Sequence, residues 1–188
     1  MILKSLRGKL IIVLFLLTTL TAVSLTAAAY YTYRENALRD RAARLLAWAQ
    51  MAGELSMENL TPQEKESLMD FSQRAQARIL LLDEEGIVQA DSSSAEFYGR
   101  RFAHEEVRST LDYGVTARGI HYLVDEGWVM YLTAPVLQEK EIQGVVFLSH
   151  AIDDLFAELR LFIWRLAALT AGIMVFVALL GGIMAGKL

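Results

Sequence analysis

Three histidines, His104, His121 and His150, and no cysteine set the limits on chemistry in this 188-residue chain. His104-Glu105 opens like the helical zinc-protease motif, which places a second His four residues after the first. Arg108 stands at that position, so the motif is incomplete. Ser92, Ser93 and Ser94 have no histidine beside them in sequence to make a serine nucleophilic. Asp83-Glu84-Glu85-Gly86 lacks the alternating oxygen ligands of a calcium loop and reads as a turn. The acidic clusters Asp83 to Glu85 and Glu139 with Glu141 could attract a divalent cation, but they are also ordinary turn residues. No catalytic residue and no metal site is expected. Without disulfides, an exported domain must be held by its core alone.

Binding chemistry is better represented. Strand alternation over residues 116–124 puts Arg118, Ile120, Tyr122 and Val124 on one face, and His121 and Leu123 on the other. Tyr131 and Thr133 share a face of the next strand. Arg118 and His121 meet on one face only if a bulge intervenes. All of them also read as solvated or satisfied strand residues.

The elements that position these residues follow from the periodicity. Residues 31–57 form a long helix, with Leu38, Leu45 and Ala52 repeating at seven and Ala42, Ala49 and Ser56 filling a second seam position. That stripe suits either a parallel dimer seam or packing on the domain's own sheet. Thr61-Pro62-Gln63-Glu64 carries an N-cap, a first-turn Pro and the Glu of a capping box, opening a helix to about residue 76. Strands are predicted over 79–82 and 87–90, joined as a hairpin, then a short helix over 103–111 and strands over 116–124, 128–136 and 144–149. A helix over 152–164 follows. The fold class is α+β, a PAS-like antiparallel sheet with a long N-terminal helix.

Two charge-free apolar runs, residues 10–29 and 166–185, flank this domain, and each is 20 residues long. At about 1.5 Å per residue, such a helix spans roughly 30 Å, the thickness of a bilayer's hydrocarbon core. Lys4, Arg7 and Lys9 precede the first run and Lys187 follows the second, which predicts cytoplasmic ends. Tyr30, Tyr31, Tyr33 and Trp164 mark the outer edges. A cleaved signal peptide is the other reading of the first run. All 22 acidic residues, against 14 of the 18 basic ones, lie between the runs. Such an acidic middle argues against nucleic acid as a partner. The expected organisation is residues 1–9 cytoplasmic, 10–30 first transmembrane helix, 31–163 extracytoplasmic sensor domain, 164–186 second transmembrane helix, and 187–188 the start of a truncated cytoplasmic part.

The segment from Arg78 through Asp83, Gly86 and Val88 to Asp91 resembles the strand–turn–strand signature of extracytoplasmic PAS-like (Cache) sensor domains. Val129 to Val136 and Gly144 to Ser149 resemble their paired closing strands. Residues 153–165 are similar to the exit helix of sensor histidine kinases of the PhoR, WalK and ResE type. The resemblance covers nearly the whole chain. It implies that a polar sheet face bearing Arg, His and Tyr can hold small carboxylates or other anions. Arg118, His121 and Tyr131 are the candidates here, with Asp91 across the sheet.

The resemblance also implies the input half of a dimeric transmembrane histidine kinase in a bacterial cell membrane. Its HAMP linker and kinase module, with ATP, magnesium and a response regulator as partner, would lie beyond this chain. All three histidines lie between the runs, so none is placed to be a cytoplasmic phosphoacceptor, and no cofactor is expected here. The alternatives are the input half of a chemoreceptor or diguanylate cyclase, or a complete membrane-tethered binding protein. Small residues such as Ala171 and Gly172 in the second run suit close helix packing, and Gly181 and Gly182 suit a bend. Gly181 and Gly182 also match the ordinary Gly enrichment of membrane helices.

Overall fold

The computed structural model describes residues 6–55, 60–139 and 141–186. Ser56 of the stripe, Lys4, Lys187 and the outermost residues of both ends fall outside that range. The chain divides into two units, residues 38–154 and the pair of segments 1–37 and 155–188.

Unit 38–154 is the α+β domain. Its elements are the second part of helix α1 (Leu6–Gly53), α2 (Pro62–Ala75), β1 (Arg78–Asp83), β2 (Val88–Asp91), α3 (Glu105–Tyr113), β3 (Ala117–Leu123), β4 (Gly127–Gln138), β5 (Glu141–Ala151) and the first residues of α4 (Asp153–Gly186). A 3-10 turn at Ala95–Phe97 is an element that periodicity did not reveal. The predicted capping box forms: the Thr61 hydroxyl accepts from the Glu64 N–H, and the Glu64 carboxylate accepts from the Thr61 N–H. Asp83 closes the β1–β2 turn by accepting from the N–H groups of Glu85 and Ile87, each at 2.9 Å. Gly86 supplies the positive φ of 77° that this turn requires.

The sheet is antiparallel throughout, in the order β2-β1-β5-β4-β3. Hairpins join β1 to β2, β3 to β4 and β4 to β5. The pairing of β1 with β5 closes the sheet across the chain. Its register aligns Arg78, Ser149, Tyr131 and Gly119 in one cross-strand row, and Leu80, Phe147, Thr133 and Ala117 in the next.

Alternation sends the two faces to different partners. Leu80, Leu82, Val129, Tyr131, Val145 and Phe147 form one buried face, with Val107 of α3 and Val88 against it. Ile79, Leu81, Met130, Leu132, Val146 and Leu148 form the other buried face. Helix α1 covers that second face, where a Cβ on Gly53 would lie 3.2 Å from Val136 and 3.5 Å from Val146. The stripe Leu38, Leu45, Ala49 and Ala52 is buried within the single chain. It is therefore used for packing on the domain's own sheet, the second of its two sequence readings. Trp48, on a different side of α1, meets Phe71 of α2 with ring centroids 5.9 Å apart.

The other unit consists of the first part of α1 and most of α4. Tyr33 stacks on Phe162 with centroids 4.8 Å apart, and the Thr19 hydroxyl lies 3.9 Å from Met174 Sδ. Both helices contain stretches long and apolar enough to cross a membrane, and those stretches are not buried within the chain.

Candidate ligand site between the third helix and the sheet

Helix α3 places one acidic side chain against the sheet. Glu106 lies on the same helical stripe as Val107 and Thr110, and all three are buried. Thr110 fixes the helix in place. Its hydroxyl is 2.7 Å from the Thr133 hydroxyl on β4, which also lies 3.2 Å from the Glu106 carbonyl. Both threonines are fully buried, so this pair satisfies two hydroxyls that burial would otherwise penalise.

Glu106 meets β3 at His121, where Oε1 and Nε2 are 2.6 Å apart. With the carboxylate oxygen as acceptor, His121 Nε2 is the donor. Gly119 lies two residues earlier on the same strand and the same face. A Cβ there would overlap Glu106 Oε1 and stand 2.6 Å from His121 Nε2. The pair thus occupies the space that any larger residue would fill. The second carboxylate oxygen, Glu106 Oε2, is buried without a hydrogen-bond partner among the described residues. A buried acceptor left unsatisfied is costly and invites a donor.

Aromatic rings wall the site. His121 lies 4.6 Å from Tyr131, and His104, just before α3, lies 5.1 Å from Tyr131 and 4.5 Å from Phe102. Phe147 contacts Tyr131 at 4.9 Å and Phe102 at 4.9 Å. Burial lowers the His104 pKa, with Glu106 opposing and His121 reinforcing the shift. Burial also raises the Tyr131 phenol, and the negative charges of Glu126 and Glu106 push it the same way. The arrangement offers an unsatisfied carboxylate oxygen, two imidazoles and a phenol on an aromatic floor. That is chemistry for holding a small polar molecule. Among the described residues, no group of three or more His, Cys, Asp or Glu is placed to hold a metal ion.

The four residues singled out from sequence are distributed as follows. His121 and Tyr131 come together on the α3 face. Arg118 pairs with Leu132 in the register and lies on the opposite face, because no bulge interrupts β3. Asp91 ends β2 and is almost wholly buried, held by Arg78 through Nε–Oδ1 at 3.0 Å and Nη2–Oδ2 at 2.6 Å. The hydrogen bond and charge of Asp91 raise the Arg78 pKa against the opposing effect of burial. The Arg78 guanidinium also sits 4.4 Å above the Phe97 ring. Asp91 is thus committed to a structural pair at the far edge of the sheet from β3.

Glu106 and Gly119 did not emerge from the sequence, although both left traces. An acid at a core position of the short α3 stripe and a lone Gly inside a strand each mark a close approach.

Comparison with solved structures agrees with this architecture. The ligand-binding domain of the Campylobacter jejuni chemoreceptor Tlp3, in complex with 4-methylisoleucine, matches over 74% of this chain and 62% of its own, with 14% identity and a TM-score of 0.53. The fold is that of a PAS/Cache-like sensor domain. The Tlp3 sensory domain without a named ligand matches similarly, at 13% identity, 72% and 62% coverage and a TM-score of 0.52. The Escherichia coli DcuS sensor domain matches over 65% of this chain and 96% of its own, at 15% identity and a TM-score of 0.49. The chain spans less than two thirds of the Tlp3 domains it matches. No family model and no curated protein sequence matches it. Within the sensor fold, the Glu106–His121–Tyr131 site lies between the sheet and the helix that precedes β3.

Proposed function

We propose that this chain is the signal-sensing input part of a transmembrane receptor, and that the Glu106–His121–Tyr131 site takes a small ligand. The observation that carries this reading is the link between the site and α4. Strand β4 bears Tyr131, and three residues earlier its backbone is bonded to the residue before α4 and to the side chain of the first residue of α4. Ile152 N–H donates to the Trp128 carbonyl at 2.8 Å, and Trp128 N–H donates to Asp153 Oδ1 at 3.1 Å. A ligand that moves β4 or β3 therefore acts directly on the first turn of α4. Movement of that helix as a piston, tilt or rotation would carry the signal. Of the set expected from sequence, His121 and Tyr131 belong to this site, whereas Arg118 faces the other side of the sheet and Asp91 is held by Arg78.

The two apolar helices and the sensor fold support a membrane protein with an extracytoplasmic sensor, both ends on the cytoplasmic side as the flanking lysines and arginines favour. A homodimer in a bacterial membrane is the natural assembly for such a receptor. The reading we favour for the output is a histidine kinase, on the likeness of residues 153–165 to kinase exit helices. Its ATP, magnesium and response regulator would act on parts beyond residue 188. A chemoreceptor is the second reading, favoured by the likeness to the Tlp3 domain.

Two experiments test this. The purified chain in nanodiscs is screened by thermal shift against small carboxylates and amino acids. A ligand that raises the melting temperature of wild type but not of Glu106→Gln or His121→Ala supports the site, and a ligand response indifferent to both variants removes it. Sequencing the gene past codon 188 separates the outputs. A His-bearing dimerisation helix followed by an ATP-binding domain supports the kinase, and a long methylated coiled coil supports the chemoreceptor.

A further inference from the structure

On a chain with more acids than bases, three arginines line one small groove, on the opposite side of the sheet from the ligand site. Arg41 and Arg44 come from α1 and Arg74 from the last turn of α2, and the groove they line measures about 250 Å³, with Trp48, His150 and Asp154 also on its wall. That volume is below the roughly 300–1,000 Å³ typical of drug-sized pockets, so the occupant must be small.

The hydrogen bonds show which groups are already committed. His150 Nδ1 lies 2.8 Å from the Gln76 carbonyl, which can only accept, so Nδ1 carries the proton. His150 Nε2 lies 3.2 Å from Arg41 Nη1, which can only donate, so Nε2 accepts. Both ring nitrogens of His150 are thus engaged. Arg41 also reaches both carboxylate oxygens of Asp154, and Arg74 pairs with Asp70 one turn before it on the helix. Both aspartates are about half exposed, 58% and 48%, so an incoming anion can reach both pairs, and the Arg74–Asp70 pair, exposed on both sides, is the weaker. Arg44 has no ion pair among the described residues. The groove is left with an excess of positive charge and guanidinium donors.

We propose that this groove is a second binding site, for a small oxyanion of the phosphate type, and that its occupancy competes with Asp154 for Arg41. Guanidinium forks match the geometry of phosphate oxygens and hold them bidentately. The competition gives the site a regulatory consequence. Asp154 is the second residue of α4, so an anion that draws Arg41 away removes the ion pair that ties the first turn of that helix to α1. The site lies on the α1 side of the sheet and is separate from the proposed ligand site. Phosphate-type oxyanions come from two sources, free phosphate in solution and the headgroups of anionic lipids.

The test uses the full chain in nanodiscs, titrated calorimetrically with inorganic phosphate. One set of discs is zwitterionic phosphatidylcholine, and the other contains phosphatidylglycerol. The expected result in zwitterionic discs is saturable binding, weakened about tenfold or more in Arg44→Gln with Arg74→Gln, partly recovered in Arg44→Lys with Arg74→Lys, and unchanged in Glu106→Gln. If phosphate binds equally in both discs, the occupant is a free anion. If phosphatidylglycerol suppresses phosphate binding in wild type, the occupant is a headgroup. The absence of saturable binding in zwitterionic discs, or binding that the double Gln variant retains in full, overturns the proposal. Because Glu106→Gln is a control here, failure of the groove and failure of the α3-face ligand site are read out separately.

Discussion

Glu106 Oε1 and His121 Nε2 lie 2.6 Å apart over the one position in β3, Gly119, where no side chain fits beneath them. Gly119→Ala should therefore force the carboxylate or the imidazole aside, at a cost of about 1–3 kcal/mol in stability. Urea unfolding measures that loss. The same substitution placed in a Glu106→Ala background should cost clearly less, because the overlapping atom is gone. Equal losses in both backgrounds would show that the strand itself, and not Glu106, rejects the methyl group.

Arg78 and Asp91 present a different kind of pair. The Asp91 side chain is 1% exposed and that of Arg78 is 25% exposed, and two hydrogen bonds join them. Removing the cation leaves a buried carboxylate unpaired, which costs about 3–5 kcal/mol. Arg78→Ala should be severely destabilised in chemical denaturation. Asp91→Asn should lose less, because the amide oxygen still accepts one bond and no buried charge is stranded. A small effect of Arg78→Ala would mean that water or another cation satisfies Asp91.

The lowered pKa of His104 predicts a pH dependence with a definite sign. In the folded chain burial keeps this imidazole neutral, whereas in the unfolded chain it takes up a proton near its ordinary value of about 6.5. Above that value both states are neutral and His104 makes no difference. As the pH falls below it, the unfolded state binds the proton first, so stability is lost progressively until the folded-state pKa is reached. The melting temperature should fall between pH 7.5 and pH 5. His104→Phe, which keeps the aromatic contacts, should flatten part of that slope, and an unchanged slope would assign the effect to other groups.

Trp128 and Asp153 offer a test of coupling. Asp153→Ala removes the acceptor for the Trp128 amide while leaving the bond from Ile152 N–H to the Trp128 carbonyl. Loss of one such bond is worth about 1 kcal/mol or slightly more. Amide exchange at Trp128 should then speed up roughly fivefold to tenfold. Exchange at Tyr131, in the middle of a buried strand, should not change. If both amides accelerate together, the hairpin opens as one unit and the link to α4 is not local.

Much of this architecture was legible along the chain. Thr61 and Glu64 announced a helix start because a capping box depends on local hydrogen bonds alone. Asp83 and Gly86 announced a turn for the same reason. Alternation placed His121 opposite Arg118, and the unbroken register of β3 keeps them on opposite faces. The stripe at Leu38, Leu45 and Ala52 was equally legible as a stripe. Its partner was not, because a heptad pattern records only that a helix face is apolar.

What the sequence by itself determined was the set of local elements, the faces of each strand and the two apolar runs. These depend on periodicity, capping and turn chemistry within a few residues. Only the tertiary structure decided that β1 pairs with β5, that α1 covers its own sheet, and that Glu106 of α3 meets His121 above Gly119. It also decided that Arg41, Arg74 and His150 share one groove. Each of these is a contact between residues far apart in the chain, and it exists only once burial of both sheet faces has fixed the register that brings them together.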